Sequence, residues 1–390
     1  MNVRVLGRRG RQGRTGSALR ASILGTAKVL AVATVTLLVT PLGSPAAANP
    51  NTVNPIPGLN GTNGLPQLPG RTTAVSQATG LLSANRTQDD NVLGTDLGIM
   101  WDNGSGQILT AFGDSAGLGL PNLLNGSLWA WRSNTLFRSS DRNLADGMTF
   151  DSTPQDFLGQ SKELIPSPKI PFVEISRIPT AGVAVDGVQY MSLMSVKNWG
   201  QPGQWETNFS RLAVSADNGE NWAEVPETDR PNVDGNRNFQ MSAFLKDGGY
   251  VYQYGTPPGR NMLAYVARVP EKEIRDLGAY EYWNGTEWKK GDVNAAAPIV
   301  FGGVAELSVQ YNEYVGQYLM LTTDAFNSVV MRRAPSPTGP WGPPEVLVDT
   351  RELPTAYGAY IHPWSSGPDL YFLTTVHSNY NVLLLHTSLG

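Results

Sequence analysis

The stretch Ser215-Ala216-Asp217-Asn218-Gly219-Glu220-Asn221-Trp222 fits the pattern S-x-D-x-G-x-x-W. This Asp-box recurs on hairpins of proteins built from radially repeated sheets. Its Asp seals a turn and its Trp packs between strands, so it marks architecture and not chemistry. Trp283-Asn284-Gly285-Thr286-Glu287-Trp288 is a looser version. Outward from these turns the chain is a succession of short apolar runs with strand alternation. Ala181–Val185 and Val188–Met194 flank Asp186-Gly187, and others run Tyr250–Tyr254, Leu263–Val269, Tyr318–Thr322 and Leu370–Val376. Asp186-Gly187 and Asp247-Gly248-Gly249 are strong hairpin turns, because their backbones accept positive φ.

Long amphipathic helices are missing. The best helical candidate is Glu271–Leu277, started by Pro270 and stopped by Gly278, as helix punctuation requires. About 300 residues of short strands make either two sandwiches or one radially repeated structure. Nothing in the middle resembles an interdomain linker, which favours one all-β propeller domain. The apolar strand Asn381–Leu389 at the end of the chain suggests ring closure, with N- and C-terminal strands sharing a blade.

Residues 1–48 carry Arg4, Arg8, Arg9, Arg11, Arg14, Arg20 and Lys28 and no acidic residue, then the apolar run Val29–Val39 and Ala46-Ala47-Ala48. A basic region, a short apolar core and a small-residue site make a secretory signal peptide. The apolar run is short of the roughly 20 residues that span a bilayer. Residues 49–85 read as a linker and lead-in; Asn49–Gly70 is mostly Asn, Pro and Gly, a flexible or PPII-like stretch with little to bury. Residues 86–390 are then the folded domain. Cleavage lowers Lys+Arg from 29 to 22 against 33 Asp+Glu, so the net charge moves from −4 to −11. So acidic a domain is a poor partner for nucleic acid, whose binding rests on cationic contacts to phosphate. The expected partner is a neutral ligand, and the expected state a secreted or envelope-associated monomer without stable membrane insertion.

There is no cysteine, which excludes disulfide scaffolds, thiolate zinc sites and thiol catalysis. His362, His377 and His386 are the only histidines, and none has the i, i+4 spacing of a helical zinc motif. The expectation is no cofactor and no catalytic metal, with an oxygen-ligand ion such as calcium the one metal class left open.

The chemistry points to Gly94–Ser115, GTDLGIMWDNGSGQILTAFGDS. Two apolar runs flank a Gly-rich turn centred near Ser105, a hairpin signal. Antiparallel partners in a regular hairpin have a constant sum, which sets Asp96 opposite Asp114, their Cβ atoms roughly 5 Å apart. Two carboxyls so placed can do general acid and base work on a glycosidic bond. Equally, each Asp can cap a turn beside Gly. Glu306, before the strand-like Leu307–Tyr311, is a possible third carboxylate. Substrate-binding candidates are Trp131, Arg132 and Asn134 after the hairpin, Arg177, Trp199 in a Gly- and Gln-rich loop with Trp205, and Tyr357 and His362. Glu174 and Arg177 alternate in strand fashion and are expected not to share a face. Trp222, Trp288 and Trp341 are expected to be packing. Serine catalysis is disfavoured, since no G-x-S-x-G elbow exists.

Several motifs occur together: G-T-D-L-G-x-x-W at Gly94–Trp101, F-G-D-S at Phe112–Ser115, W-R-S-N at Trp131–Asn134 and R-I-P-T at Arg177–Thr180. With them come Y-E-Y-W-N-G at Tyr280–Gly285, E-L-S-V-x-Y-N at Glu306–Asn312 and Y-G-A-Y-I-H-P at Tyr357–Pro363. On these, Thr87–Gly390 resembles a family of secreted actinobacterial proteins, long called a domain of unknown function and now associated with endo-D-arabinanases. Ala334–Trp341 also resembles the blade-edge turn of furanoside-cleaving propellers. The resemblance implies a five-bladed propeller of four-stranded blades. It implies hydrolysis of internal α-D-arabinofuranosyl linkages in mycobacterial arabinogalactan and lipoarabinomannan, with Asp96 and Asp114 as catalytic residues. One carboxylate activating water while the other donates to the leaving oxygen makes inversion the expected mechanism. The alternatives are a non-catalytic cell-wall polysaccharide-binding propeller and a furanosidase of other sugar specificity.

Overall fold

Five antiparallel sheets follow one another along the chain in a computed structural model that describes residues 65–81, 83–119 and 129–390. The expected signal peptide and most of the linker lie outside the described residues. The innermost strands are Gly94–Asp102, Ser176–Val185, Met241–Asp247, Leu307–Asn312 and Ala356–Ile361, each the first of its sheet in sequence except in the fifth, which the N-terminal strand joins at the outer edge. Each inner strand packs against the next, and the fifth returns to the first. The result is a five-bladed propeller, almost without helix, as expected.

Local chemistry explains the blades. Asp186-Gly187 joins the first two strands of the second blade with φ of 49° and 81°, and Gly248-Gly249 does so in the third with 57° and 82°. Two successive positive φ values are the turn that matches strand twist. In the Asp-box, Ser215 Oγ donates to Asp217 Oδ1 at 2.7 Å and the Asn221 N–H donates to the same oxygen at 2.9 Å. Burial tends to raise the Asp217 pKa, but these donors outweigh it and hold it near 2. Trp222 meets Trp101 of the first blade edge-on, ring centres 6.3 Å apart. In the looser box Asn284 takes the sealing role, accepting from the N–H of Thr286 and Glu287 at 3.0 and 2.8 Å. Trp222, Trp288 and Trp341 all pack against core clusters.

The core lies between blades. One apolar cluster joins the second and third blades, one the third and fourth, one the fourth and fifth, and the largest seats the first blade between its two neighbours. At the boundary between the first two blades the approach is so close that a Cβ on Gly182 would fall inside the Trp101 indole.

Three expectations need correction. The folded ring begins earlier than residue 86. Thr72–Gln77 is the outermost strand of the fifth blade, hydrogen-bonded to Asn381–Ser388, while Leu65 and Leu68 pack on the core between the fourth and fifth blades. The ring is closed by this N-terminal strand, so a segment that looks polar still belongs to the fold. The blades are not all four-stranded, because the third carries six strands, including the hairpin of Glu281–Trp283 and Trp288–Lys290. Glu271–Leu277 is not an α-helix; it holds only the 3₁₀ turns Glu271–Glu273 and Leu277–Ala279, too short a segment to repay helix nucleation.

Candidate active site

The N-terminal ends of the inner strands surround a cavity of about 480 Å³. Asp96, Asp114, Glu306, Trp199 and Tyr357 line it, with Trp205, Arg260, His377 and Tyr380. The hairpin register follows the constant sum at both ends, with Thr95 opposite Ser115 and Asp102 opposite Ile108. It breaks between Thr95 and Leu97, and again before Ile99. Asp96 therefore sits in a bulge and not in a regular pair. Leu97 takes φ 68° and Gly98 99° to make the bulge, a conformation that costs a leucine free energy and is held only by its surroundings. The Thr95 N–H donates to the Tyr380 carbonyl and the Leu97 N–H to Thr375 Oγ1, each at 2.8 Å. The fifth blade thus grips the backbone on both sides of Asp96. Across the strand, Gly113 leaves room that a Cβ would take from Asp96 Oδ1.

The two aspartates are held differently. Asp96 Oδ2 accepts from the Tyr357 hydroxyl at 2.8 Å, while Oδ1 is buried with no hydrogen-bond partner. Burial first, and then the Asp114 charge, push the Asp96 pKa up to about 8. Asp114 is pushed up to about 7 by burial, against the pull of Ser176, whose Oγ donates to Oδ1 at 2.5 Å. The Trp131 indole N–H is buried without a well-formed hydrogen bond, yet it faces Asp114 closely enough to favour the ionised carboxylate. Such a pair exchanges protons near neutral pH, where ordinary carboxyls are fully ionised.

Glu306 is buried and held by Arg260, whose Nη2 lies 2.8 Å from Oε1. Trp199 is 39 % exposed and meets Trp205 edge-on at 5.9 Å, giving the cavity an aromatic wall. Five candidates, Trp131 and four others, lie outside the cavity lining. Arg132 is buried and donates to the carbonyls of Ser161 and Asn91. Asn134 donates to the carbonyls of Ile165 and Arg177 and accepts from the N–H of Leu164 and Ile165, which uses its whole hydrogen-bonding capacity. Arg177 is ion-paired with Glu174 at 2.8 Å and Glu224 at 2.6 Å. That corrects the expectation for Glu174 and Arg177: Glu174 lies before the strand starts at Ser176, so alternation does not govern it. His362 is fully buried one residue past its strand, and burial lowers its pKa to about 4. Its neighbour Trp364 donates to Asp102, which lies at the far end of the first inner strand from Asp96.

Arg260, Ser176, His377 and Tyr380 also reach the site, and no motif or spacing in the sequence points to them. They come from loops and strand ends of three different blades, and only the ring brings them together. Among the described residues no cluster of three or more His, Asp or Glu is placed to hold a metal ion, and no helix is long and apolar enough to cross a membrane.

Residues 82–386 match the family described as domain of unknown function DUF4185. The chain belongs to that family. Among curated relatives, Notoamide biosynthesis cluster protein J of Aspergillus sp. (strain MF297-2) is 29 % identical, covering 73 % of this chain and 80 % of that protein. Notoamide biosynthesis cluster protein J' of Aspergillus versicolor is 28 % identical, covering 71 % and 78 %. A candidate hydrolase from Bacteroides ovatus ATCC 8483 has a similar fold, with TM-score 0.54 and 16 % identity over 76 % of this chain and 86 % of that one. The family assignment bears out the motif reading at that level, and the propeller neighbour agrees in fold.

Proposed function

We propose that this DUF4185 protein is a secreted glycoside hydrolase that cleaves internal α-D-arabinofuranosyl linkages of cell-wall arabinan, in arabinogalactan and lipoarabinomannan. The observation that carries the reading is the pair Asp96 and Asp114 on one cavity, both pushed up to near-neutral pKa and differently hydrogen-bonded. Asp96 is the acid: burial and the Asp114 charge push it up to about 8, the higher of the two, so it holds its proton near neutral pH. Asp114 is the base: Ser176 and the facing indole favour its ionised form, which would take a proton from water. With one carboxyl on each task the substitution inverts the anomeric centre. Acid–base hydrolysis of this kind calls for no cofactor.

The walls support a neutral saccharide. Among the described residues Arg260 is the only lysine or arginine lining the cavity, and Glu306 neutralises it, which leaves little for a phosphate or carboxylate to bind. Trp199 offers an exposed ring to a sugar face. Arabinan itself, the linkage and secretion rest on the motif resemblance and on the N-terminal basic-apolar segment. The test is to incubate the purified protein with arabinogalactan. A ladder of oligosaccharides of inverted anomeric configuration supports the reading. A lone monosaccharide would indicate an exo-enzyme, and binding without products a polysaccharide-binding propeller; either overturns it.

A further inference from the structure

We propose that Arg260 and Glu306 form a positioning pair for the Asp96–Asp114 dyad. In this arrangement the arginine braces Tyr357 and the glutamate cancels the arginine's charge. The proposal rests on the acid–base reading of the dyad and gives Glu306 a role other than third catalytic carboxylate.

Arg260 Nε lies 3.2 and 3.1 Å from the two Glu306 oxygens, and Nη2 lies 2.8 Å from Oε1. One guanidinium therefore occupies both oxygens of a carboxylate that is only 8 % exposed. The same guanidinium lies over the Tyr357 ring, its Cζ 4.4 Å from the centroid, and 5.9 Å from that of Trp205. Tyr357 in turn donates to Asp96. The chain of contacts runs from the third-blade loop and the start of the fourth blade, through the fifth blade, to the acid in the first.

Charge balance explains why both members are needed. A lone arginine beside Asp96 would hold it ionised and remove the acid, and a lone glutamate would oppose ionisation of both aspartates. Together they supply a flat, stackable cation with little net field. Several other groups act on Asp96. Asp114 lies in its own blade, and Tyr357, Tyr360 and Tyr380 approach from the fifth. His377 stands beside Tyr357, ring centres 6.1 Å apart. Asp114 faces Ser176, Trp131, Lys169 and Glu163. Arg260 also acts on Tyr357, Tyr360 and His377, so a double variant that removes both charges is the control for the pair.

The test uses the full chain labelled with ¹³C at aspartate carboxyls, the Asp96 signal being assigned with Asp96→Asn. Titrations are compared for the parent, Glu306→Gln, Arg260→Met and the double variant, alongside pH profiles of arabinan cleavage. Glu306→Gln should lower the Asp96 midpoint by about half to one unit, Arg260→Met should raise it by as much, and the double variant should restore it. Arg260→Lys keeps the charge without the flat stacking fork; its midpoint should stay near the parent's while kcat falls. This variant keeps the proposal testable if Arg260→Met does not fold. Shifts of the same sign in both single variants, or none, overturn the proposal. So does loss of activity at every pH in Glu306→Gln with the Asp96 midpoint unmoved, which would make Glu306 a catalytic group. A parent inactive on arabinan defeats the substrate reading, while the carboxyl titration still decides the pair.

Discussion

The hydroxyl of Tyr357 and Oδ2 of Asp96 lie 2.8 Å apart although the two residues are 261 positions apart in the chain. The contact crosses the boundary where the ring closes, so the Asp96 carboxyl is oriented by the fifth blade. Tyr357→Phe removes a donor that favours the ionised carboxylate. The Asp96 pKa should then rise from its value near 8, moving the alkaline limb of the pH profile upward. Loss of one hydrogen bond to a charged group is worth about 1.5–3 kcal/mol, so kcat should fall by about tenfold or more. An unchanged profile would show that the tyrosine does not act on the acid.

Asp96→Asn and Asp114→Asn are nearly isosteric and should each lower kcat by about 10² to 10⁴, the usual scale of general acid or base catalysis. Substrate binding and the melting profile should persist. The parent profile should be a bell with limbs near 7 and 8, the values at which burial leaves the two carboxyls. These limbs belong to the coupled pair and not to either residue alone. A maximum near pH 4, or cleavage by either Asn variant at the parent rate, would remove the dyad from the mechanism.

Most of the fold can be read from sequence because its signals are local. The turns at Asp186-Gly187 and Gly248-Gly249 and the Asp-box at Ser215–Trp222 are each complete within a few residues. Thr72–Gln77 is the exception: its pairing with Asn381–Ser388 depends on residues some 300 positions away, and nothing in its own composition announces it.

The site is legible to a lesser extent, for the same reason. Asp96 and Asp114 belong to one hairpin, so arithmetic on positions finds them, although the bulge at Leu97-Gly98 breaks the regular pairing. Arg260 and Ser176 come from other blades, and no spacing rule reaches them. Tyr357 and His362 looked like neighbours in one loop. Tyr357 is near the start of the strand Ala356–Ile361 and His362 follows its end, so five steps of about 3.3 Å each carry His362 away from the cavity.

Asp217 tests whether the Asp-box is architecture alone. Asp217→Ala removes the acceptor for Ser215 Oγ and the Asn221 N–H. The group is largely in solvent, so the loss should be modest, about 1 kcal/mol, with kcat and KM unchanged. A substantial fall in kcat at unchanged stability would place the box in the chemistry.

Gly182→Ala probes the seam between the first two blades. Its new methyl would enter the space of the Trp101 ring, whose indole N–H is fixed by Gln189 at 2.9 Å. Overpacking of this kind costs about 1–3 kcal/mol, which a lowered melting temperature would register. Trp101→Phe should recover part of the loss in the double variant by freeing volume. Additive effects of the two substitutions would show that glycine is not there to admit the ring.

Stability should carry the signature of the dyad as well. Both aspartates have folded-state pKa values raised above the ordinary 3.8, to about 8 and about 7, chiefly by burial. A raised carboxyl binds its proton more tightly when folded. Its stabilisation is therefore complete below the unfolded pKa and is lost as pH rises through the folded value. The parent should lose stability steadily between about pH 4 and pH 8. Asp96→Asn, which cannot ionise, should escape part of that loss. Its melting temperature relative to the parent should climb over the same interval, with little difference at pH 4 and the largest at pH 9. The variant would then be more stable and far less active, as expected where a site holds ionisable groups in an unfavourable medium for the sake of function. Melting curves of the two proteins across that range decide the matter: parallel curves would mean that Asp96 is ordinarily solvated and ionised throughout, and unfit to be an acid at neutral pH.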